Sequence, residues 1–186
     1  MSNELDGKTI GFLVANEGIE QVELTSPWQA VTDAGGQPRL IAPSAGTAQA
    51  FNHLDKADEF PVDVVVEAAA VDDYDGLVLP GGVANPDALR LDADAVGFVR
   101  DYVAAGKPIA AICHAPWTLV EADVVNGKQL TSWPSLQTDI RNAGGRWTDE
   151  AVVVSDEQDW TLVTSRKPDD LEDFNAELIR VFASGN

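Results

Sequence analysis

The chain has 186 residues and a mass of 19.8 kDa, with 45% hydrophobic and 23% charged residues, which suits one compact domain and excludes a stapled mini-protein or a largely disordered chain. Against 12 Lys and Arg stand 31 Asp and Glu, and a formal charge of -19 repels phosphate backbones and anionic lipid surfaces, so neither nucleic acid nor membrane is expected as a partner. No apolar run approaches the roughly 20 residues of a bilayer span, and the start carries acidic residues where a secretory signal would carry basic ones, so a cytoplasmic location is expected.

In chain order, the β-branched and aromatic run 8–14 predicts a buried first strand that ends in a loop at Asn16 and Gly18. Over 20–34, Val22, Leu24, Trp28, Ala30 and Val31 favour one side of a helix, which Gly35 and Gly36 stop. Short strands are predicted at 39–42 and 62–66, and another at 76–80 that runs straight into Gly81 and Gly82. Val96, Val99, Tyr102 and Val103 mark a helix over 92–105, with Gly106 as its stop. Residues 108–112 are apolar on both faces, as a central parallel strand must be. Helices at 115–122 and 134–143, strands at 129–132, 151–154 and 160–164, and a closing helix at 168–183 complete the series. Such alternation predicts an α/β fold, a mostly parallel sheet with helices on both faces, as one domain over 1–186.

In open parallel sheets the chemistry sits beyond the carboxyl ends of the strands, here the loops after Val14, Leu79 and Ile112. Ala111-Ile-Cys-His-Ala115 places a nucleophile two residues from a small residue on each side, the pattern of a nucleophile elbow, whose tight turn brings strand and helix backbones together. The one cysteine of the chain, Cys113, can form no internal disulfide and is structural, redox-active or nucleophilic. At a helix N-terminus its thiol is expected to lose its proton more readily. The N–H groups of Gly81, Gly82 and His114 would form an oxyanion hole beside it. Glu17, Glu20 and Glu23 crowd the first loop, and a carboxyl near the thiol would be pushed toward its protonated form. His114 needs an orienting carboxylate such as Asp87, while His53 reads as a surface or pocket-wall residue. One cysteine and two histidines supply no metal cluster, and no glycine fingerprint marks a nucleotide site, so neither a metal nor a cofactor is expected.

The segments ANEGIEQVEL (15–24), DGLVLPGG (75–82), GKPIAAICHAP (106–116), TSWP (131–134) and NAG (142–144) together resemble the ThiJ/PfpI superfamily, in its intracellular protease I and bacterial general stress protein branch. NHLDKADEFPVD (52–63) is similar to a segment of the stress-protein branch. The resemblance implies a flavodoxin-like three-layer sandwich related to class I glutamine amidotransferases, working as a homodimer or an assembly of dimers. It implies Cys113 as nucleophile, His114 as its neighbour, Glu20 as the carboxyl on the sulfur, and Gly81 and Gly82 as the oxyanion loop. Asp87 aligns with a glutamate that, in archaeal members, reaches the histidine from the adjacent subunit. Ala115 stands where many members have Gly, which the elbow accepts if its φ stays negative.

The function implied is that of a stress-related cysteine enzyme attacking carbonyl carbons, as a protease or peptidase, or as a glyoxalase III or deglycase on small reactive aldehydes and their adducts. The alternative is a redox-sensing or chaperone-like stress protein acting through oxidation of Cys113. A glutamine amidotransferase is disfavoured, because no His follows His114 to complete that triad. The acidic excess also has two readings that carry no catalysis: adaptation to high salt or desiccation, and a solvated surface kept soluble by self-repulsion.

Overall fold

The structure is a computed structural model that describes residues 3–185. The chain runs β1 (Thr9–Leu13), β2 (Glu17–Glu20), α1 (Gln21–Asp33), β3 (Gln37–Ala42), β4 (Thr47–Asn52), β5 (Asp55–Pro61), β6 (Val64–Val65), β7 (Gly76–Leu79) and α2 (Ala84–Leu89). It continues through α3 (Ala93–Ala104), β8 (Ile109–Ile112), α4 (Pro116–Glu121), β9 (Gln129–Leu130), α5 (Gln137–Asn142), β10 (Arg146–Trp147), β11 (Val152–Ser155), β12 (Leu162–Ser165) and α6 (Leu171–Ser184).

Seven strands form the main sheet in the order β11-β12-β8-β7-β1-β3-β6, every neighbouring pair parallel except β11 with β12. The period of two along each strand divides the core. On β8, Ile109 and Ala111 face the helices α3, α4 and α5 through Val99, Leu119 and Ile140, while Ala110 and Ile112 face α1 and α6 through Leu24, Phe174 and Phe182. This is the flavodoxin-like three-layer sandwich, and burial on both faces explains why its strands read as continuous apolar runs. Chain order reverses between β1 and β7, and a crevice opens beyond the carboxyl ends of β1, β7 and β8 at such a switch point.

Several elements depart from the sequence reading. A second sheet, β2-β4-β5, stands over that crevice, with β2 parallel to β4 and β4 antiparallel to β5. β2 is four residues of mixed polarity and β5 is largely exposed, so neither carries a burial pattern. The helix expected at 20–34 starts one residue later, with Glu20 left extended as its N-cap (φ -68, ψ 114). The helix expected at 134–143 opens as a 3-10 turn at Pro134–Leu136 before α5, and the short helix α2 follows directly on Gly82 and Val83. The strand expected at 129–132 is the two-residue β9, paired with β10 rather than with the main sheet. Among the described residues no helix is long and apolar enough to cross a membrane.

Candidate active site

Cys113 follows β8 directly and has a φ of 63°, a left-handed conformation that costs an ordinary residue about 1–2 kcal/mol. Both of its backbone groups are pinned: its N–H donates to the Ser165 carbonyl at 3.0 Å, and its carbonyl accepts from the Trp133 N–H at 2.8 Å. Ala111 and Ala115 are fully buried on either side, and Ala115 has a φ of -54°, so alanine replaces glycine there without strain. The strained, small-flanked elbow turn is therefore formed.

Cys113 is 5% exposed at the floor of a cavity of about 610 Å³. Its sulfur lies 3.2 Å from Nδ1 of His114, whose ring stacks on Trp133 with centroids 5.6 Å apart and meets Trp117 at 5.3 Å. Burial pulls the His114 pKa down to about 4, so the ring is neutral at physiological pH. Among the described residues no carboxylate hydrogen-bonds or ion-pairs with His114, and Asp87 is exposed in the first turn of α2.

The carboxyl on the sulfur is Glu23, not Glu20. Glu23 is fully buried, hydrogen-bonds the Cys113 side chain, and accepts the Gly81 N–H through Oε2 at 2.9 Å. Burial, with the Glu20 charge adding to it against the bond to Cys113, raises its pKa to about 8, so it is protonated at neutral pH. Oε1 has no hydrogen-bond partner among the described residues. Glu20 instead ends β2, where its Oε2 accepts the His53 N–H at 3.0 Å and lies 3.7 Å from His53 Nδ1. The extended backbone at Glu20 sends its side chain to the tip of the β4–β5 hairpin, whereas Glu23, a turn into α1, shares the inward face with Leu24, Pro27 and Val31. That helical spacing was the available signal for Glu23.

Two further expectations are corrected. Burial raises the Cys113 thiol pKa, the Glu23 charge, when present, raises it further, and the N–H groups of Gly82 and His114 only partly offset them; desolvation outweighs any helix-end effect. Gly81 also cannot serve as an oxyanion donor, because its N–H is already committed to Glu23. The donors at the sulfur are the N–H groups of Gly82 and His114. Gly82 has a φ of +87°, and a Cβ there would press on the Gly18 carbonyl and come within 2.7 Å of the Glu20 nitrogen, so this loop position requires glycine.

Asn85, fully buried, went unnoticed in the sequence. Its Oδ1 accepts the Ala15 N–H at 2.6 Å, and its Nδ2 donates to the carbonyls of Pro80 and Gly81 at 2.8 and 3.1 Å, fastening the loop after β7 to the loop after β1. Asn85→Ala strips buried backbone groups of partners and is expected to cost about 2–4 kcal/mol. Urea unfolding measures this, and a loss below about 0.5 kcal/mol would mean that water replaces the amide.

A buried thiol on a strained elbow, backed by a protonated carboxyl and a neutral imidazole, defines an α/β protein of the cysteine-elbow class. The chain belongs to the DJ-1/PfpI family, whose pattern matches residues 8–181. It is 40% identical over 183 residues to "Protein/nucleic acid deglycase 2" of Escherichia coli, covering 95% of this chain and 99% of that protein. It is 37% identical over 174 residues to "Putative cysteine protease YraA" of Bacillus subtilis, covering 94% and 98%. The crystal structure of Drosophila melanogaster DJ-1beta superposes with a TM-score of 0.82 at 27% identity, covering 98% of this chain and 91% of that one.

Proposed function

We propose that this protein is a cysteine-dependent enzyme acting on small reactive carbonyl compounds or their adducts, in the manner that the name of the deglycase relative describes. The observation that carries the reading is the position of Cys113, 5% exposed on a cavity floor, where a small aldehyde fits more readily than an extended peptide. The Cys113 thiolate attacks the carbonyl carbon, a C–S bond forms, and the displaced electron pair collects on oxygen facing the N–H groups of Gly82 and His114. His114, neutral and 3.2 Å from sulfur, moves protons between sulfur and the new alkoxide. In this reading Asp87, exposed on α2, is the carboxylate that a second copy of the chain would bring to His114.

A second reading, redox sensing without turnover, draws on Glu23: a protonated carboxyl beside the sulfur would hold an oxygen of a Cys113 sulfinate. Purified wild type and Cys113→Ala, assayed side by side on methylglyoxal and on an unstructured protein, separate the two readings. The enzyme reading expects methylglyoxal consumption by wild type alone. No turnover of either substrate, with conversion of Cys113 to sulfinate by peroxide, would replace it with the sensor.

A further inference from the structure

We infer that the mouth above Cys113 selects its carbonyl substrates by charge, admitting neutral and cationic compounds and turning anionic ones away. The inference rests on the reading of Cys113 as a nucleophile and specifies the class of substrate that can reach it.

The cavity over the sulfur is walled by Phe51, Leu54, Val83 and Trp133, and the charged groups that line it are carboxyls, with no Lys or Arg among the lining residues. Glu17 is exposed at the rim, and the Glu20 side chain is 13% exposed with its Oε2 held by the His53 N–H. The two basic residues that precede Pro168, which also lines the cavity, are already paired: Arg166 with Asp149 and Asp170, and Lys167 with Asp169. At the floor, the buried Glu23, which lines the same cavity, leaves Oε1 without a hydrogen-bond partner among the described residues, as a site shaped to receive a ligand would.

Apolar walls screen the two mouth carboxylates less than water does, so a reagent entering between them meets a negative potential along its path. A carbonyl adduct on a lysine or arginine side chain that keeps its positive charge is drawn in, and an uncharged dicarbonyl is indifferent. A 2-oxo acid carries its carboxylate toward Glu17 and Glu20 and is repelled.

Cys113 is the one thiol in the chain, so labelling reports on this site alone. Three methanethiosulfonates of similar size would be compared at one pH: trimethylammonium-ethyl, butyl and sulfonatoethyl. In each the thiolate attacks the sulfenyl sulfur, an S–S bond forms, and methanesulfinate leaves with the electron pair of the broken S–S bond. With rates normalised to a neutral small thiol, the cationic reagent is expected to outpace the anionic one by about tenfold or more. Glu17→Gln with Glu20→Gln, which keeps an acceptor for the His53 N–H, should shrink that ratio several-fold. Asp101→Asn with Asp123→Asn removes the same charge near the opposite end of β8 and should leave the ratio within about twofold. Equal normalised rates for cation and anion, or an equal response to the two double variants, would overturn charge selection by the mouth while leaving the nucleophile reading intact. Failure of the neutral reagent to label wild type would bring down both.

Discussion

Replacing Glu23 by leucine is expected to slow alkylation of Cys113 at pH 7 by roughly ten- to a hundredfold, the worth of one hydrogen bond to a charged group, while glutamine keeps most of the rate. The thiol and carboxyl titrate as a pair. They release one proton near pH 8, and the second leaves only well above that, because it would bury two negative charges side by side. In the singly charged state the remaining proton lies between Glu23 and Cys113, and the form with that proton on the carboxyl presents a thiolate with a donor beside it. The wild-type rate should therefore rise with pH and level off beyond about 8. Leucine removes the donor and leaves the Gly81 N–H without its acceptor, whereas glutamine supplies both groups. A folded leucine variant that reacts within about twofold of wild type would show that the carboxyl contributes nothing to the thiolate.

The same carboxyl makes stability depend on pH. Its pKa is about 8 in the folded state against 4.5 as its ordinary value, so between these the folded protein holds a proton that the unfolded chain has released. Its contribution is complete below the unfolded value and is lost as pH rises through about 8. Relative to Glu23→Gln, wild type should lose several kcal/mol between acidic and alkaline pH in urea unfolding. A pH-independent difference would mean that Glu23 is ionised in the folded protein.

The central layer was legible because burial on both faces leaves only apolar residues, as in β7 and β8, and the elbow because its alanine spacing is dictated by close backbone approach. The β4–β5 hairpin was not. Only Ala48 and Ala50 on β4 are buried, and alternating small residues beside a charged, exposed β5 give no amphipathic signal. The confusion of Glu20 with Glu23 has the same origin. Three residues apart, they would share a helix face, and the short strand β2 places Glu20 outside the helix. Gly81 shows another limit, since a Gly-Gly turn announces two available N–H groups and says nothing of a carboxyl 58 positions away claiming one of them.

Gly81→Ala is expected to disable the site and destabilise the fold together. A Cβ at this position would fall on Oε2 of Glu23 and within 2.7 Å of both the Cys113 Cβ and the Ile112 carbonyl, closer than real Cβ contacts come. The carboxyl alone could swing aside, at the loss of its bond from the Gly81 N–H, but the β8 carbonyl and the Cys113 Cβ belong to a backbone anchored at Ser165 and Trp133. The loop after β7 has to retreat instead, pulling against the Asn85 bonds to the carbonyls of Pro80 and Gly81 and taking the Gly82 N–H away from sulfur. Overpacking of this kind costs about 1–3 kcal/mol, and a buried N–H left unpaired adds about as much again. Stability in chemical denaturation and the rate of Cys113 alkylation should therefore fall together in Gly81→Ala, whereas Gly97→Ala, inside α3 with open space around its Cβ, should leave alkylation unchanged and raise stability by up to about 1 kcal/mol. If Gly81→Ala keeps wild-type stability and thiol reactivity, the close packing of loop, carboxyl and elbow is not what holds this site.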